Sequence, residues 1–341
     1  MIAQLLIASA VSASLLPQIA GTQPTPLRRW LPELRQTFTI EGAPGRELYN
    51  PRVLAVTSRG LIVVYDMGTY SVRAFSPDGR EMWSAGRKGS GPGEFQSASD
   101  IEPLNDGGVA VLDNELSRLT ILDSQGRVKD TSPLAFGGTQ LVPLDGGSAF
   151  GITAHDLRLL WRAVYPQARV GEGALPADIS VDKSIIRSNV TAKAGASTSV
   201  VVFVWSSRVL FLDAKGAIMK QWDGPELLSL PRAVTTAVSI PGLKNAAVTR
   251  VDPKAVRGAS AVAATTNRAF VVFDGATPDR RRIVDVFDLP SGRYAGSYRL
   301  PERAAAIATL SDNRIVTLHD EPVPQLRIWE VASMRPSMRS K

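Results

Sequence analysis

His155 and His319 are the only imidazoles in the 341-residue chain, and they stand 164 positions apart (319 − 155). His155 lies beside Asp156 in a polar break, and His319 is followed by Asp320 and Glu321. Facing one opening, the two could share a metal ion or act as an acid–base pair. A histidine at a loop or strand end is more often held by local hydrogen bonds, so a structural role is the first expectation for both. Carboxylates recur at strand ends at Asp66, Asp113, Asp213, Asp274 and Asp288. A subset could hold calcium, but recurrence at equivalent places points first to turn chemistry, with each carboxylate accepting backbone N–H groups. The chain has no cysteine, which excludes structural disulfides, thiolate nucleophiles and thiolate-bound zinc or iron–sulfur clusters. Neither a zinc-protease motif nor a nucleophile elbow is present. No catalytic, cofactor-binding or metal-ligating residue is therefore nominated, and no cofactor is expected.

Two other stretches have compositions that suggest binding. Residues 86–95, GRKGSGPGEF, place Gly89, Gly91 and Gly93 at alternate positions. No helix pattern follows, and neither the dinucleotide spacing nor the Lys-Ser/Thr ending of a phosphate loop is there. The segment is expected to be a connector that crosses from one sheet to the next, with Phe95 anchoring it in the crevice between them. Arginine outnumbers lysine 30 to 9 and accounts for most of the net charge of +7. Only Arg280, Arg281 and Arg282 cluster, and they are expected to form a solvated hairpin tip. Nucleic-acid binding would call for a continuous basic stripe with interleaved aromatics, which is missing, so nucleic acid is not an expected partner.

The elements that must position these residues follow a repeat. LIVVYD at 61–66 and SVRAFSPDGR at 71–80 are echoed by VAVLD at 109–113 and SRLTILDSQGR at 117–127. One offset of 47 fits Asp113 − Asp66, Leu122 − Phe75 and Gly126 − Gly79. Each copy is an alternating apolar run, a polar break, a second run ending in Asp-Gly or Gln-Gly, and a short further run. That describes a β-meander with tight turns, and a repeat of this length built from short strands fits a propeller blade.

The first blade is expected over about 53–85 and the second over 99–131, with a third from about 139 through LRLLWRAVYP at 157–166, read as paired short strands. Residues 167–196 are less regular and include a KAGAST tract expected to be flexible. Periodicity returns at 199–222, where Gly216 − Gly126 is 90, close to two blades. Residues 224–257 are expected to hold the inner strand of blade five and an inserted loop on one rim. The last blade supplies three strands, and the solitary run QTFTI at 36–40 is expected to fill its fourth place, closing the ring. The fold expected is all-β, a six-bladed propeller of four-stranded antiparallel blades. Five or seven blades remain alternatives.

The first 20 residues carry no charge and are largely apolar, with small residues before Ala13 and Ala20, the pattern of a cleavable signal without a basic start. The expected organisation is a signal peptide at 1–20, a leader at 21–35, one propeller domain at 36–331 and a tail at 332–341. No later segment reaches the roughly 18 apolar residues of a spanning helix.

With GRKGSGPGEF leading into GVAVLD and RLTILDSQGR, the chain resembles the NHL-type six-bladed propellers, including secreted bacterial members, in which a Gly-rich connector ends in Gly-x-Phe, here Gly93-Glu94-Phe95. The resemblance fades over 167–260. It implies a fold used for binding proteins or RNA, for sensory ectodomains and, in a minority, for lyases or calcium-dependent lactone hydrolases. The expected function is an exported, noncatalytic binding module, periplasmic or extracellular and monomeric. Its partner would be a protein, peptide or glycan on the loop face. The alternative is a metal-dependent lyase or lactone hydrolase with its site at the central channel.

Overall fold

The computed structural model describes residues 28–134, 139–153, 159–166, 171–174, 189–194, 198–205, 208–226, 228, 233–237, 247–275 and 278–331. Blade one contains β4 (Pro51–Val56), β5 (Ile62–Asp66), β6 (Ser71–Phe75) and β7 (Glu81–Ala85), preceded by β1 (Arg35–Ile40) and the small hairpin β2 (Gly42–Ala43) and β3 (Arg46–Glu47). Blade two contains β8 (Ala98–Pro103), β9 (Val109–Asp113), β10 (Arg118–Leu122) and β11 (Val128–Pro133). Blade three contains β12 (Leu141–Leu144), β13 (Ala149–Thr153), β14 (Leu159–Tyr165) and β15 (Glu172–Ala174). Blade four contains β16 (Asn189–Ala194), β17 (Thr198–Phe203), β18 (Arg208–Leu212) and β19 (Ile218–Asp223). After the separate hairpin β20 (Ala233–Ala237) and β21 (Ala247–Val251), blade five contains β22 (Ala259–Ala264), β23 (Arg268–Phe273), β24 (Ile283–Asp288) and β25 (Arg293–Arg299). Blade six contains β26 (Ala306–Ser311), β27 (Arg314–His319) and β28 (Gln325–Glu330), with β1 as its outer strand.

The first strands β4, β8, β12, β16, β22 and β26 adjoin one another in sequence, and β26 adjoins β4, so the six blades form a closed ring. Strand β1 pairs antiparallel with β28, Arg35 opposite Glu330 and Ile40 opposite Leu326. The expected closure by the N-terminal strand is therefore present, and it removes an edge that would otherwise be open to pairing.

The repeat has a local cause. Gly79, Gly126 and Gly216 each close the turn after a third strand, donating to the carbonyls of Ser76, Asp123 and Asp213 at 2.9, 3.0 and 3.0 Å. In all three blades the register slips by one residue at the end of the third strand, at Ala74/Phe75, Ile121/Leu122 and Phe211/Leu212. This is a glycine bulge, in which a left-handed residue takes up the extra position (φ +88° at Gly79, +78° at Gly126). The middle strands β5, β6, β9 and β10 are buried along their whole length, whereas the outer strand β7 alternates, as its position at the perimeter requires.

Four junctions between blades share a further contact. An aromatic ring from one blade lies on the turn glycine of the next: Phe38 on Gly79, Trp83 on Gly126, Trp161 on Gly216 and Trp222 on Gly292. A Cβ added at Gly79, Gly126 or Gly216 would stand only 2.7, 2.6 or 2.5 Å from those rings, so the absence of a side chain is what lets the blades approach. Trp161 Nε1 also donates to the Gly216 carbonyl at 3.0 Å.

The structure corrects four expectations. Residues 159–165 form one strand, β14, instead of two paired ones, because Gly171 and the short β15 supply the return partner. Within the KAGAST tract, Lys193 and Ala194 lie in β16 and Thr198 in β17; Ala194 pairs with Thr198 at the hairpin end. The inner strand of blade five is β22, outside 224–257, and that region instead contributes β20 and β21, which join no blade. The end of the leader is part of the fold: Leu31 N donates to Ser297 O at 2.8 Å, and Ser297 N to Arg29 O at 2.7 Å, extending blade five beyond β25.

Candidate ligand cleft on the connector rim

Outer strands lead back to inner strands on one rim of the ring, where the turns between second and third strands also lie. Residues 86–95 form such a connector, as expected. Phe95 is fully buried, meets Tyr65 edge-on at 6.1 Å, and its N–H donates to Arg87 O at 2.9 Å. Glu94 holds the loop by accepting from Gly91 N and Arg87 Nε, both at 2.8 Å, and these bonds pull its pKa below the usual carboxylate range. These contacts close the loop on itself and on the buried Phe95, with the Arg87 side chain left exposed, so the loop serves the junction.

The strand-end carboxylates divide into three kinds. Asp66 accepts from Tyr49 N, Asn50 N and Gly68 N at 2.8–3.0 Å, and Asp113 accepts from Gln96 N, Ser97 N and Leu116 N. Both buried side chains thus fasten the incoming connector to the turn of their own blade, which confirms turn chemistry for this pair. Asp213 belongs to the other rim, receiving Lys215 N and Ala217 N as Asp123 receives Gln125 N and Arg127 N. Asp288 receives Ser291 N at 2.9 Å in the turn after the third strand of blade five.

Asp274 differs from all of these. It is fully buried, and three guanidiniums surround it: Arg280 at 2.6 Å, Arg257 at 3.2 Å and Arg281 at 3.4 Å. The expected solvated tip therefore holds only in part: Arg280 is exposed, but both it and the half-buried Arg281 fold back toward a buried carboxylate. Arg281 has φ +58°, unusual for a residue with a side chain; Tyr70 and Ser117, which are 47 apart like the rest of the repeat, have φ +56° and +46° in the matching turns of blades one and two.

His319 ends β27 on the same rim and is fully buried. Its Nε2 lies 2.8 Å from Thr317 Oγ1, which accepts from Trp329 Nε1 at 2.7 Å, and its Nδ1 makes no hydrogen bond among the described residues. Burial, reinforced by the charge of Arg327, drives its pKa down to about 4, and the neighbouring Arg303 backbone, Glu302 and Asp320 only partly oppose this. His155 lies outside the described residues; the flanking strands β13 and β14 belong to blade three, three places round the ring from blade six. Among the described residues no group of three or more His, Asp or Glu side chains is arranged to hold a metal ion. Because a histidine whose folded pKa is about 4 binds protons only on unfolding, the unfolded chain takes up more protons between about pH 6.5 and 4, and stability falls as pH drops through that window. Thermal melts of the wild type and His319→Gln should show this: the wild type's advantage shrinks from pH 7 to pH 4.

Between blades five and six the rim opens into a cleft of about 810 Å³, walled by Pro278, Ala304 and Pro322. Its charged lining consists of Arg280, Arg281, Arg282 and Arg303 with Glu302, Asp320 and Glu321. Glu302 is engaged by Arg327 at 2.7 Å, and Arg282 lies 3.9 Å from Asp279. The triplet at 280–282 was visible in the sequence, whereas Arg303, Arg257 and the central role of Asp274 depend on chain returns that no local pattern reports. Another buried carboxylate lies on the inner strand of blade two: Asp100 accepts from Leu141 N at 2.7 Å, stapling blade two to blade three, and burial pushes its pKa up to about 7.

This architecture is that of β-propellers already solved. The chain is similar to the WD40 repeats of RRP9 (12% identity, 88% of this chain and 100% of that one, TM-score 0.54). It is also similar to U3-55K (13%, 88% and 98%, TM-score 0.53). A Bacteroides fragilis NCTC 9343 protein classed as exported aligns over 88% of this chain and 96% of its own, at 9% identity and a TM-score of 0.56. At these identities the likeness is one of fold. No family model matches the chain, and no curated protein does.

Proposed function

We propose that the chain is an exported, noncatalytic binding module of the propeller class, monomeric, which captures a protein, peptide or glycan on its connector rim. The observation that carries this reading is the hairpin β20–β21, inserted between the last strand of blade four and the first of blade five and belonging to no blade. A closed ring gains nothing in its own sheets from such an element, and rim insertions on a rigid scaffold are a common place for recognition. Support for export comes from the apolar first 20 residues, and a Bacteroides protein of similar fold is classed as exported. No helix among the described residues is long and apolar enough to cross a membrane. The residues resembling the NHL type are those of the connector at 86–95, and membership of that group is part of this proposal, as is a single propeller domain that runs to residue 331 and takes in the end of the leader ahead of residue 36.

The test is a panel of immobilised peptides, glycans and proteins probed with the full chain and with a variant in which residues 229–252 are replaced by a short Gly-Ser linker. Both should melt cooperatively, and binding found with the full chain should weaken about tenfold or more in the variant, about 1.4 kcal/mol. Undiminished binding by the variant would remove the hairpin from the reading. Chelator-sensitive turnover of a lactone, with no saturable binding, would replace the reading with the hydrolase alternative. For export, N-terminal sequencing of the mature protein should find a start just after Ala13 or Ala20.

A further inference from the structure

We propose that the cleft between blades five and six binds a peptide with acidic side chains, its carboxylates engaging Arg280, Arg281 and Arg303 while Asp320 and Glu321 accept its backbone N–H groups. The inference rests on the binding-module reading and names the chemistry of its ligand. Three guanidiniums share the one buried carboxylate of Asp274, more positive charge than it can neutralise, and two of them, Arg280 and Arg281, line the cleft. Arg280 spends only Nε on Asp274, and its side chain is about half exposed (47%), so its two terminal nitrogens are free to form a fork toward the cleft. The Nε donors of Arg257 and Arg281 are buried and make no hydrogen bond in spite of their proximity to Asp274, as expected where one acceptor is oversubscribed. Burial together with repulsion from Arg281 and Arg280 outweighs Asp274 and lowers the pKa of Arg257.

The opposite sign is also present. Arg303, Asp320 and Glu321 line the cleft, and none of them forms an ion pair among the described residues. A bare polyanion would gain from the arginines and be repelled by the two carboxylates. A peptide supplies both partners, acidic side chains for the guanidiniums and amide N–H groups for Asp320 and Glu321. The cleft, about 810 Å³, lies within the roughly 300–1,000 Å³ of ordinary ligand sites. Its walls are fixed in advance: Arg281 N donates to Phe273 O at 2.9 Å and Arg281 O accepts from Ala304 N at 2.8 Å, which ties the turn of blade five to the entry of blade six. Preorganisation of this kind reduces what binding must spend on ordering.

The experiment uses the full chain and fluorescence anisotropy with labelled, C-terminally amidated hexaglutamate, and labelled hexaglutamine as the neutral probe. Saturable binding of hexaglutamate is expected, weakened about tenfold in Arg303→Gln and by raised salt, with no binding of hexaglutamine. Arg303 has no ion partner to lose, so this variant should melt like the wild type; Arg280→Gln serves as a second variant. The inference is overturned by no saturable binding, by equal binding of both peptides, or by unchanged affinity in both variants. Competition by inorganic phosphate as strong as that of unlabelled peptide would also overturn it, assigning a simple oxyanion site. If hexaglutamate fails while a panel ligand still binds through β20–β21, the binding-module reading stands and the cleft inference alone falls.

Discussion

Phe95→Ala should lower the unfolding free energy by about 3–5 kcal/mol, the cost of truncating a buried aromatic ring and leaving a cavity. Phe95 is fully enclosed between blades one and two, edge-on to Tyr65, and its ring lies where a Cβ on Gly86 would come within 2.5 Å. Its backbone is tied to the connector through Arg87 O and Gly89 N, which limits how far the walls can collapse into the space left. Urea unfolding followed by tryptophan fluorescence would report the loss as a lower midpoint at unchanged slope. A loss below about 1 kcal/mol would mean that the crevice closes over the missing ring, and that Phe95 fills space without anchoring the connector.

Arg73→Ala should cost a similar amount, about 3–5 kcal/mol, for a different reason. The guanidinium is almost wholly buried and pairs with Glu81 at 2.8 Å, with Asp66 3.6 Å away; it also donates to Glu47 O at 2.8 Å and to Arg46 O. Removing it leaves the enclosed Asp66 without its cation, leaves Glu81 with only the more exposed Arg46 at 3.0 Å, and strips two hydrogen bonds from the carbonyls of the entering hairpin. Arg73→Met restores most of the volume and none of the charge, so it should recover little. Arg35→Ala is the contrast: its partner Glu330 and its own side chain are largely exposed (42% and 72%), and the change should stay within about 0.5 kcal/mol. Equal losses in Arg73→Ala and Arg35→Ala would show that Asp66 and Glu81 are satisfied without Arg73.

Arginine is where sequence reading was least informative. Thirty arginines in a basic chain suggest a solvated surface, yet Arg73 and Arg118 reach back under their blades to connector carbonyls, and Arg118 donates to Ser90 O at 2.8 Å and to Glu94 O. Neither position differs locally from that of an exposed strand residue. Burial there depends on what the preceding connector places above the strand, and that connector comes from more than 20 residues earlier in the chain (118 − 94 = 24). The same holds for Asp274: its spacing from a strand end matches a turn carboxylate, and only the return of the chain at Arg257 and Arg280 turns it into an ionic centre.

The repeat at 61–127 was legible because each link in it is local. Alternating apolar residues make the strands, and a left-handed glycine after Asp, Asp-Gly or Gln-Gly closes the turn and shifts the register by one. From that unit, the spacing of later glycines and a solitary N-terminal strand beside a three-stranded last blade, the sequence by itself determined an all-β propeller closed by its first strand, with six blades expected and five or seven left open; the structure has six, closed by β1 on β28. What tertiary structure decided was which side chains meet between blades. Aromatic rings settle on the turn glycines of the next blade, the hairpin at 233–251 stands apart from blade five, and Arg280, Arg281 and Arg303 come from two blades to line one cleft. Each of these depends on residues distant in the chain being brought together by ring closure, and a local sequence period carries no record of which residues those are.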